Sequence, residues 1–307
     1  MIRFIFMRVL QSLIALLGIS ILVFGLVRLS GNPVDLFRTP TSTPEELANI
    51  QEQLGLDKPF PEQYWIFFKG IVQGDLGFSY IKKKPVTEMI GAALPNTLRL
   101  GITAFILSML VALLLGVLAA TRRDSLLDNA VKFLAVLGQA LPGFWLAIMA
   151  IWIFSVQLHL LPSHGTSGIL NYVMPVGTLS FFLLPGMMRL VRSSMLDVLD
   201  SEYVKLARIK GLPEKVVIWK HALRNALIAP LTVAGMLFAQ IITGVVIIEQ
   251  VFAWPGVGRL DYEAMIARDF PIVQGVTLMV AVFILLVNLL VDITYAYVDP
   301  QIRYQNT

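Results

Sequence analysis

The chain has 307 residues, of which 57% are hydrophobic and 14% charged, and its formal net charge at pH 7 is +4. A soluble domain carries about 25% charged residues, so this composition excludes an ordinary soluble protein and predicts an integral membrane protein. The absence of cysteine excludes disulfides, thiol nucleophiles and thiolate metal sites.

Six stretches are apolar and long enough to cross a hydrocarbon core of ~30 Å. They cover residues 9–27, 100–121, 133–158, 172–188, 225–248 and 270–291. The third and fourth are separated by LPSHG at 161–165 and contain prolines, which neighbouring membrane helices tolerate. The first is expected to be retained, because no small-residue cleavage site follows it. The sequence therefore predicts an all-α membrane protein with six transmembrane helices.

Basic residues predict the orientation of these spans. The two short outer loops hold only Arg259 and Arg268, whereas the inner segments hold most of the other lysines and arginines. The long loop at 28–99 is a weak guide, because long loops follow the positive-inside rule poorly. Both termini are thus predicted in the cytoplasm. Residues 1–98 would form the first transmembrane helix and a long external loop, and 99–307 a five-helix core with a cytoplasmic loop at about 193–224.

The predicted spans lack the ionisable residues that bind coupling ions in secondary transporters. Asp292 is the one candidate, and it lies at the inner end of the last span. Gln240 and Thr243, about one helical turn apart, are candidates to line a translocation path. No G-x-x-x-x-G-K-[ST] phosphate loop is present, so energy for uphill transport must come from another chain.

A membrane enzyme is a weaker alternative. The sequence GTSG at 165–168 resembles the local pattern of intramembrane serine proteases, whose histidine lies on a later span. Here His159 and His164 share the outer loop with Ser167, and His221 is on the opposite side of the membrane. Two histidines are too few for a zinc site. A self-sufficient secondary transporter is the other alternative from a different class.

The loop between the fourth and fifth spans contains a charged amphipathic stretch, EYVKLARIKGL at 202–212. Asp200 or Ser201 is predicted to cap a helix on which the apolar residues Tyr203, Leu206 and Ala207 share a face. Gly211 is placed to end the helix, and Pro213 to begin the next one. Such a segment suits a helix lying on anionic lipid, or a docking helix for a soluble partner. A DNA-gripping helix is disfavoured for a single copy tethered between two spans.

Several motifs, in order along the chain, resemble those of the dipeptide, oligopeptide and nickel family of bacterial ABC importer permeases. They are LGLDKP at 54–59, GDLGFS at 74–79, Y-x-x-x-A-R-x-K-G-L from 203 with H-x-L-R-N-A from 221, E-x-x-F-x-W-P-G-x-G-R from 249, and DPQIRY at 299–304. The general E-A-A-x-x-x-G loop of importer permeases matches only at Ala207 and Gly211, a departure that puts the detailed contacts in doubt.

The resemblance implies a multi-pass permease subunit of the bacterial inner membrane that has no ATPase site, catalytic residue, cofactor or metal of its own. Its implied partners are a homologous permease subunit, two ATPase subunits that bind ATP and magnesium, and an external solute-binding protein; nucleic acid is not among them. Peptides are the implied substrate, with nickel, a metal chelate or glutathione as alternatives. The coupling helix would dock on the ATPase through Glu202, Tyr203, Leu206, Ala207, Arg208, Lys210 and Gly211. Trp254, Pro255 and Gly256 would form a turn near an outer gate.

Overall fold

The computed structural model describes residues 2–31, 34, 43–53, 55–239 and 241–298. Within these ranges the chain is almost entirely helical, with one antiparallel hairpin that pairs Phe78 with Pro85 and Ser79 with Lys84. The chain divides into two compact units. Unit 1 comprises 1–96 and 255–289, and unit 2 comprises 97–254 and 290–307.

Unit 1 contains the first helices, the hairpin and the last two helices. Its elements are α1 (Ile2–Ser30), α2 (Pro44–Gln53), α3 (Phe60–Val72), β1 (Phe78–Ser79), β2 (Lys84–Pro85), the start of α4 (Val86–Thr121), α13 (Val257–Ala267) and most of α14 (Phe270–Val298). A small core joins α4, α13 and α14 through Val86, Val257 and Ile272. Gly275 permits this packing, because a Cβ there would lie 2.6 Å from Val86 Cγ1.

Unit 2 contains the remaining described helices. They are α5 (Leu126–Ala140), α6 (Gly143–Ala150) with a π-helical continuation (Ile151–Gln157), α7 (Ile169–Leu199), α8 (Glu202–Ile209), α9 (Glu214–Val216) with a π-helical continuation (Val217–Ala222), α10 (Leu223–Ala226), α11 (Ile228–Ala239) and α12 (Ile241–Val251). Glycines allow close approach at two crossings. A Cβ at Gly116 would lie 2.7 Å from Val191 Cγ1, and one at Gly138 would meet Pro185.

Among the described residues, four helices are long and apolar enough to cross a membrane, and their qualifying ranges are Ile5–Ser30, Val86–Thr121, Ile169–Leu199 and Phe270–Thr294. Two bent pairs, Leu126–Ala140 with Gly143–Gln157 and Glu214–Ala226 with Ile228–Ala239, raise the number to six if each pair is one span. The six-span count and the cytoplasmic placement of both termini stay predictions, as does the division at residue 98.

Two features differ from the sequence prediction. The helix of the predicted second span begins at Val86 rather than near residue 100, so fourteen residues assigned to the external loop are helical. The predicted third span bends by 101° at Leu141 and Pro142. Proline disfavours helical dihedrals in the preceding residue, and Leu141 is extended with φ −89° and ψ 128°.

Candidate functional site

The candidate docking segment follows directly from α7. Ser201 precedes α8 with extended dihedrals, but its hydroxyl donates to the Val198 carbonyl at the end of α7 instead of accepting from an N–H of α8. The prediction of a side-chain cap is therefore wrong. Ser201 instead ties the start of α8 to the helix before it, which fixes how the chain leaves the span.

Gly211 forms the corner after α8, as predicted. Its φ of +78° is left-handed, a conformation that glycine adopts without steric cost. The Gly211 N–H donates to the Arg208 carbonyl, and the Leu212 N–H lies 3.4 Å from the Ala207 carbonyl. Pro213 then precedes α9, which continues through a π-helical segment into α10. The loop is a helix, a glycine corner and a second helix.

The two faces of α8 lie in different environments. Val204 is fully buried and Ala207 is 8% exposed, and both belong to the core cluster that includes Met195 and Leu199 of α7. On the other side Leu206 is 50% exposed and Ile209 is 81% exposed. Tyr203, Leu206 and Ala207 share one side of the helix by their spacing, but Ala207 packs on its own chain, whereas Tyr203 is 42% exposed. Their contact with a partner protein stays a prediction.

Ile209 is the apolar residue that the sequence interpretation missed. It lies three positions after Leu206, so the two side chains are neighbours on a helix. We call Leu206 and Ile209 the α8 ridge. The sequence feature that could have identified Ile209 is its i, i+3 spacing from Leu206. It was overlooked because the apolar face was assumed to point toward the partner rather than toward the chain's own core.

The charged residues of the segment form pairs within the chain. Arg208 Nη2 lies 2.9 Å from Glu214 Oε1, which bridges the Gly211 corner. Lys205 Nζ lies 2.8 Å from Glu202 Oε1, and this hydrogen bond raises the pKa of the Lys205 ammonium. Asn225 donates to the Tyr203 hydroxyl at 2.7 Å. Arg208 thus has an acidic partner in its own chain, whereas Lys210 is exposed. Their pairing with acids of a partner protein stays a prediction.

A buried ion pair that sequence reasoning did not anticipate fastens α5 to α7 near this segment. The Asp128 carboxylate is fully buried and accepts from Arg192 through both oxygens, with Nη2 at 2.8 Å from Oδ2. Lys132 Nζ and the Asp124 N–H also lie within 3.0 Å of Oδ2. Arg192 lies on α7 two turns before its end, so the pair holds the helix that leads into α8.

The outer candidates occupy two environments, described separately. In unit 2, Trp254 is fully buried and its ring packs edge-on against Tyr172, 4.7 Å between centroids. The Trp254 ring is therefore covered by other side chains of unit 2. In unit 1, the Pro255 carbonyl accepts from Asn96 at 2.9 Å, and Gly256 precedes α13. A role of these residues in an outer gate stays a prediction.

The GDLGFS motif meets the region after α13 in unit 1. The Ser79 hydroxyl donates to Asp269 Oδ2, and both residues are buried. Lys82 and Arg259 both pair with Glu263, at 3.4 and 2.9 Å. Burial raises the pKa of the Asp269 carboxyl, and it raises the pKa of Asp261 to about 6. The hairpin and α13 also line a cavity of about 470 Å³.

Two predicted features fall outside the described residues. Gln240 and the side chain of Thr243 are not described, and neither is DPQIRY at 299–304. Their predicted roles are untested. Within the described ranges, no group of three or more His, Cys, Asp or Glu side chains could hold a metal ion.

Two family models match consecutive parts of the chain. The family described as "Binding-protein-dependent transport system inner membrane component" matches residues 112–304, and a family for the N-terminal part of such membrane components matches 1–101. A putative peptide transport system permease of Brucella abortus is 40% identical over 306 residues, covering 97% of this chain and 98% of that protein.

Two other relatives that match over nearly their full length carry different names. The oligopeptide transport system permease AppB of Bacillus subtilis is 37% identical, covering 99% of this chain and all of that protein. The glutathione transport system permease GsiC of Salmonella choleraesuis is also 37% identical, with the same coverage. The crystal structure of an amino acid ABC transporter with histidines matches with a TM-score of 0.56 at 15% identity, covering 69% of this chain and 94% of that one. That structure supports the fold alone.

Proposed function

Because this chain belongs to the family of inner-membrane components of binding-protein-dependent transport systems, we propose that it forms, with a homologous permease subunit, the membrane path for peptides delivered by an external binding protein. The family membership makes it a permease subunit, not the ATPase. Peptides are favoured because full-length relatives carry peptide and oligopeptide names. ATP and magnesium would bind to two separate ATPase subunits.

The observation that carries the energy-coupling part of this proposal is the α8 ridge. Large apolar side chains in a protein interface contribute most when they fill a pocket on the partner. Leu206 and Ile209 project from a short helix whose opposite face, Val204 and Ala207, is packed into unit 2. A helix so anchored transmits a rigid-body movement of the ATPase to α7.

The other predicted docking residues have supporting roles in this proposal. Ala207 holds α8 against its own core, and Gly211 sets the corner angle. Arg208 and Glu214 stiffen that corner, and Lys210 and Tyr203 lie beside the ridge for contacts with the ATPase. Glu202 and Lys205 form an exposed pair that contributes little to stability.

Uptake by the reconstituted complex tests the proposed function. The chain, its permease partner, two ATPase subunits and the binding protein are placed in vesicles with ATP inside, and labelled dipeptide is supplied outside. We expect uptake that stops when ATP or the binding protein is omitted. Uptake by this chain without ATPase subunits in ATP-free vesicles would establish a secondary transporter instead.

Glutathione is the second candidate substrate, favoured by the full-length glutathione permease relative. The same vesicles distinguish it from peptides by competition. An excess of unlabelled dipeptide should abolish labelled dipeptide uptake, whereas glutathione and nickel should leave it unchanged. Competition by glutathione alone would move the assignment to that substrate, and competition by nickel alone would move it to the metal.

A further inference from the structure

Helix α3 packs along α1 at a depth that an aqueous external loop would not reach. The Ser20 hydroxyl of α1 donates its proton to the Leu17 carbonyl. It also lies 2.8 Å from the Tyr64 hydroxyl of α3, and in this second hydrogen bond the tyrosine is therefore the donor. Phe24 of α1 is 2% exposed and contacts the rings of Phe60 and Phe67, with centroids 5.2 and 5.1 Å away. These contacts fix α3 beside the second half of α1.

The position of these contacts within the membrane follows from α1. Arg8 marks one boundary of the apolar run, and about 20 residues are needed to cross the hydrocarbon core, so the core extends to the level of Arg28. Ser20 lies eight residues before Arg28, roughly 12 Å deeper at 1.5 Å per residue. The Phe24 contacts are roughly 6 Å deeper than Arg28 on the same scale. Helix α3 therefore lies below the surface of this leaflet.

The rest of α3 has the surface of a helix lying at a membrane interface. Trp65 and Val72, two turns apart, form an apolar strip and are 63% and 71% exposed. Glu62 and Lys69 form a parallel charged strip, displaced around the helix by three residues and also exposed. An interfacial helix has such adjacent apolar and charged strips, and tryptophan is enriched at this depth.

Length excludes a further membrane span here. Helix α3 has 13 residues and is roughly 20 Å long, shorter than the hydrocarbon core. Leu22 and Leu26 of α1, on either side of Phe24 in the chain, are 63% and 60% exposed on a helix long and apolar enough to cross a membrane. The apolar strip of α3 is continuous in depth with a lipid-facing surface, which favours lipid as its occupant.

We propose that α3 is an interfacial helix embedded in the leaflet at the Arg28 end of α1, with Trp65 and Val72 against lipid acyl chains and Glu62 and Lys69 at the headgroups. This leaflet is the outer one in the predicted orientation. The segment assigned to an external loop then includes a membrane anchor that fastens the following hairpin close to the bilayer.

Single cysteines test this placement, because the natural chain has none. The variants Trp65→Cys, Val72→Cys, Glu62→Cys and Lys69→Cys are nitroxide-labelled in the assembled transporter in lipid nanodiscs. Collision with oxygen, which partitions into lipid, is compared with collision with a water-soluble nickel chelate. Leu22→Cys on α1 calibrates lipid exposure, and Lys83→Cys in the hairpin calibrates water.

We expect the oxygen-to-nickel collision ratio at positions 65 and 72 to be several-fold above that at 83 and close to that at 22, with values at 62 and 69 that lie between those at 83 and 65. A ratio at 65 and 72 equal to that at 83 would place α3 in water. Low collision with both reagents would show that a protein subunit covers the strip. Either result overturns the proposal.

Tryptophan fluorescence gives a measurement without labels. The difference between the natural chain and Trp65→Phe isolates the emission of Trp65. Lipids brominated near the headgroup end of the acyl chain should quench this difference, and aqueous iodide should not. Quenching by iodide without quenching by brominated lipid contradicts the placement.

Discussion

Asp128 in unit 2 differs from Asp261 and Asp269 in unit 1 in how the burial of the carboxyl group is compensated. In unit 2, Asp128 accepts from Arg192 and Lys132, so its burial is compensated by two cations. In unit 1, Asp261 and Asp269 each have a buried oxygen that no described group hydrogen-bonds. A buried carboxylate without a close cation favours its protonated form, whereas a paired one stays ionised. The ion pair ties α5 to α7 ahead of α8, whereas the raised pKa of Asp261 predicts that the stability of unit 1 depends on pH.

The largest expected effect comes from removing the compensated pair. Asp128→Asn leaves Arg192 without its anion, and breaking one half of a buried ion pair costs about 3–5 kcal/mol. We expect a clear fall in the thermal midpoint of the purified chain in detergent. Asp124→Asn is the control, because the Asp124 side chain is 78% exposed and its ion pairs with Arg123 and Lys132 are longer, at 3.6 and 3.7 Å. Equal thermal midpoints for the two variants would show that the pairing of Asp128 with Arg192 does not stabilise unit 2.

A double variant sharpens the same point. Replacing both partners, as Asp128→Leu with Arg192→Met, leaves no uncompensated charge, and apolar replacements of buried ion pairs are often neutral or stabilising. The midpoint should recover most of the loss seen in Asp128→Asn. Failure to recover would mean that Asp128 acts through its contact with the Asp124 N–H rather than through the cation.

Next in size is the loss of the α8 ridge. Ile209→Asp places a charge where an apolar contact with the ATPase is proposed, and central apolar contacts are worth about 2 kcal/mol or more. We expect at least ~30-fold weaker binding of the ATPase subunits, since each 1.4 kcal/mol is tenfold. Binding is measured with the permease pair in nanodiscs. Leu126→Asp is the control, because Leu126 is 90% exposed at the start of α5, where an acidic residue is favourable.

The stability of the protein is predicted to depend on pH through Asp261, whose carboxyl has no close cation among the described residues. The pKa of Asp261 is raised to about 6 by burial, above the ordinary value of 3.8 that the unfolded chain has. Its stabilising contribution is therefore complete below pH 3.8 and is lost as pH rises through 6. Asp261→Asn should be more stable than the natural chain by about 1–2 kcal/mol above pH 7, allowing for partial exposure.

Melting curves from pH 4 to 8 check this dependence. The advantage of Asp261→Asn should grow between pH 4 and 6 and then stay constant. Glu62→Gln, which changes an exposed carboxyl, should show no such growth. A pH-independent difference between Asp261→Asn and the natural chain would mean that this carboxyl is compensated like Asp128.

Much of the architecture was predictable because the length of an apolar stretch can be read from consecutive residues of the sequence. The four long membrane helices and the helix, corner and helix at 202–226 follow from hydropathy, glycine and proline. The Asp128–Arg192 pair was not predictable, since its members are 64 residues apart. Helix α3 was missed because Glu62 and Lys69 interrupt its apolar residues, and the proposed depth depends on its packing against Ser20 and Phe24. Ile209 was missed because periodicity identifies a face without telling what covers it.

The smallest expected effect tests the corner itself. A Cβ at Gly211 would meet no atom within 4 Å, so Gly211→Ala introduces no clash. The cost is conformational: a left-handed φ of +78° costs a non-glycine residue about 1 kcal/mol. Gly177→Ala in α7, equally free of neighbours but helical, should be neutral or slightly stabilising. If Gly211→Ala lowers peptide transported per ATP hydrolysed while Gly177→Ala does not, the corner angle, rather than side-chain contact at residue 211, links α8 to the spans. If peptide transported per ATP hydrolysed is unchanged in both variants, the packing of Val204 and Ala207 is sufficient to hold α8, and the corner is not needed.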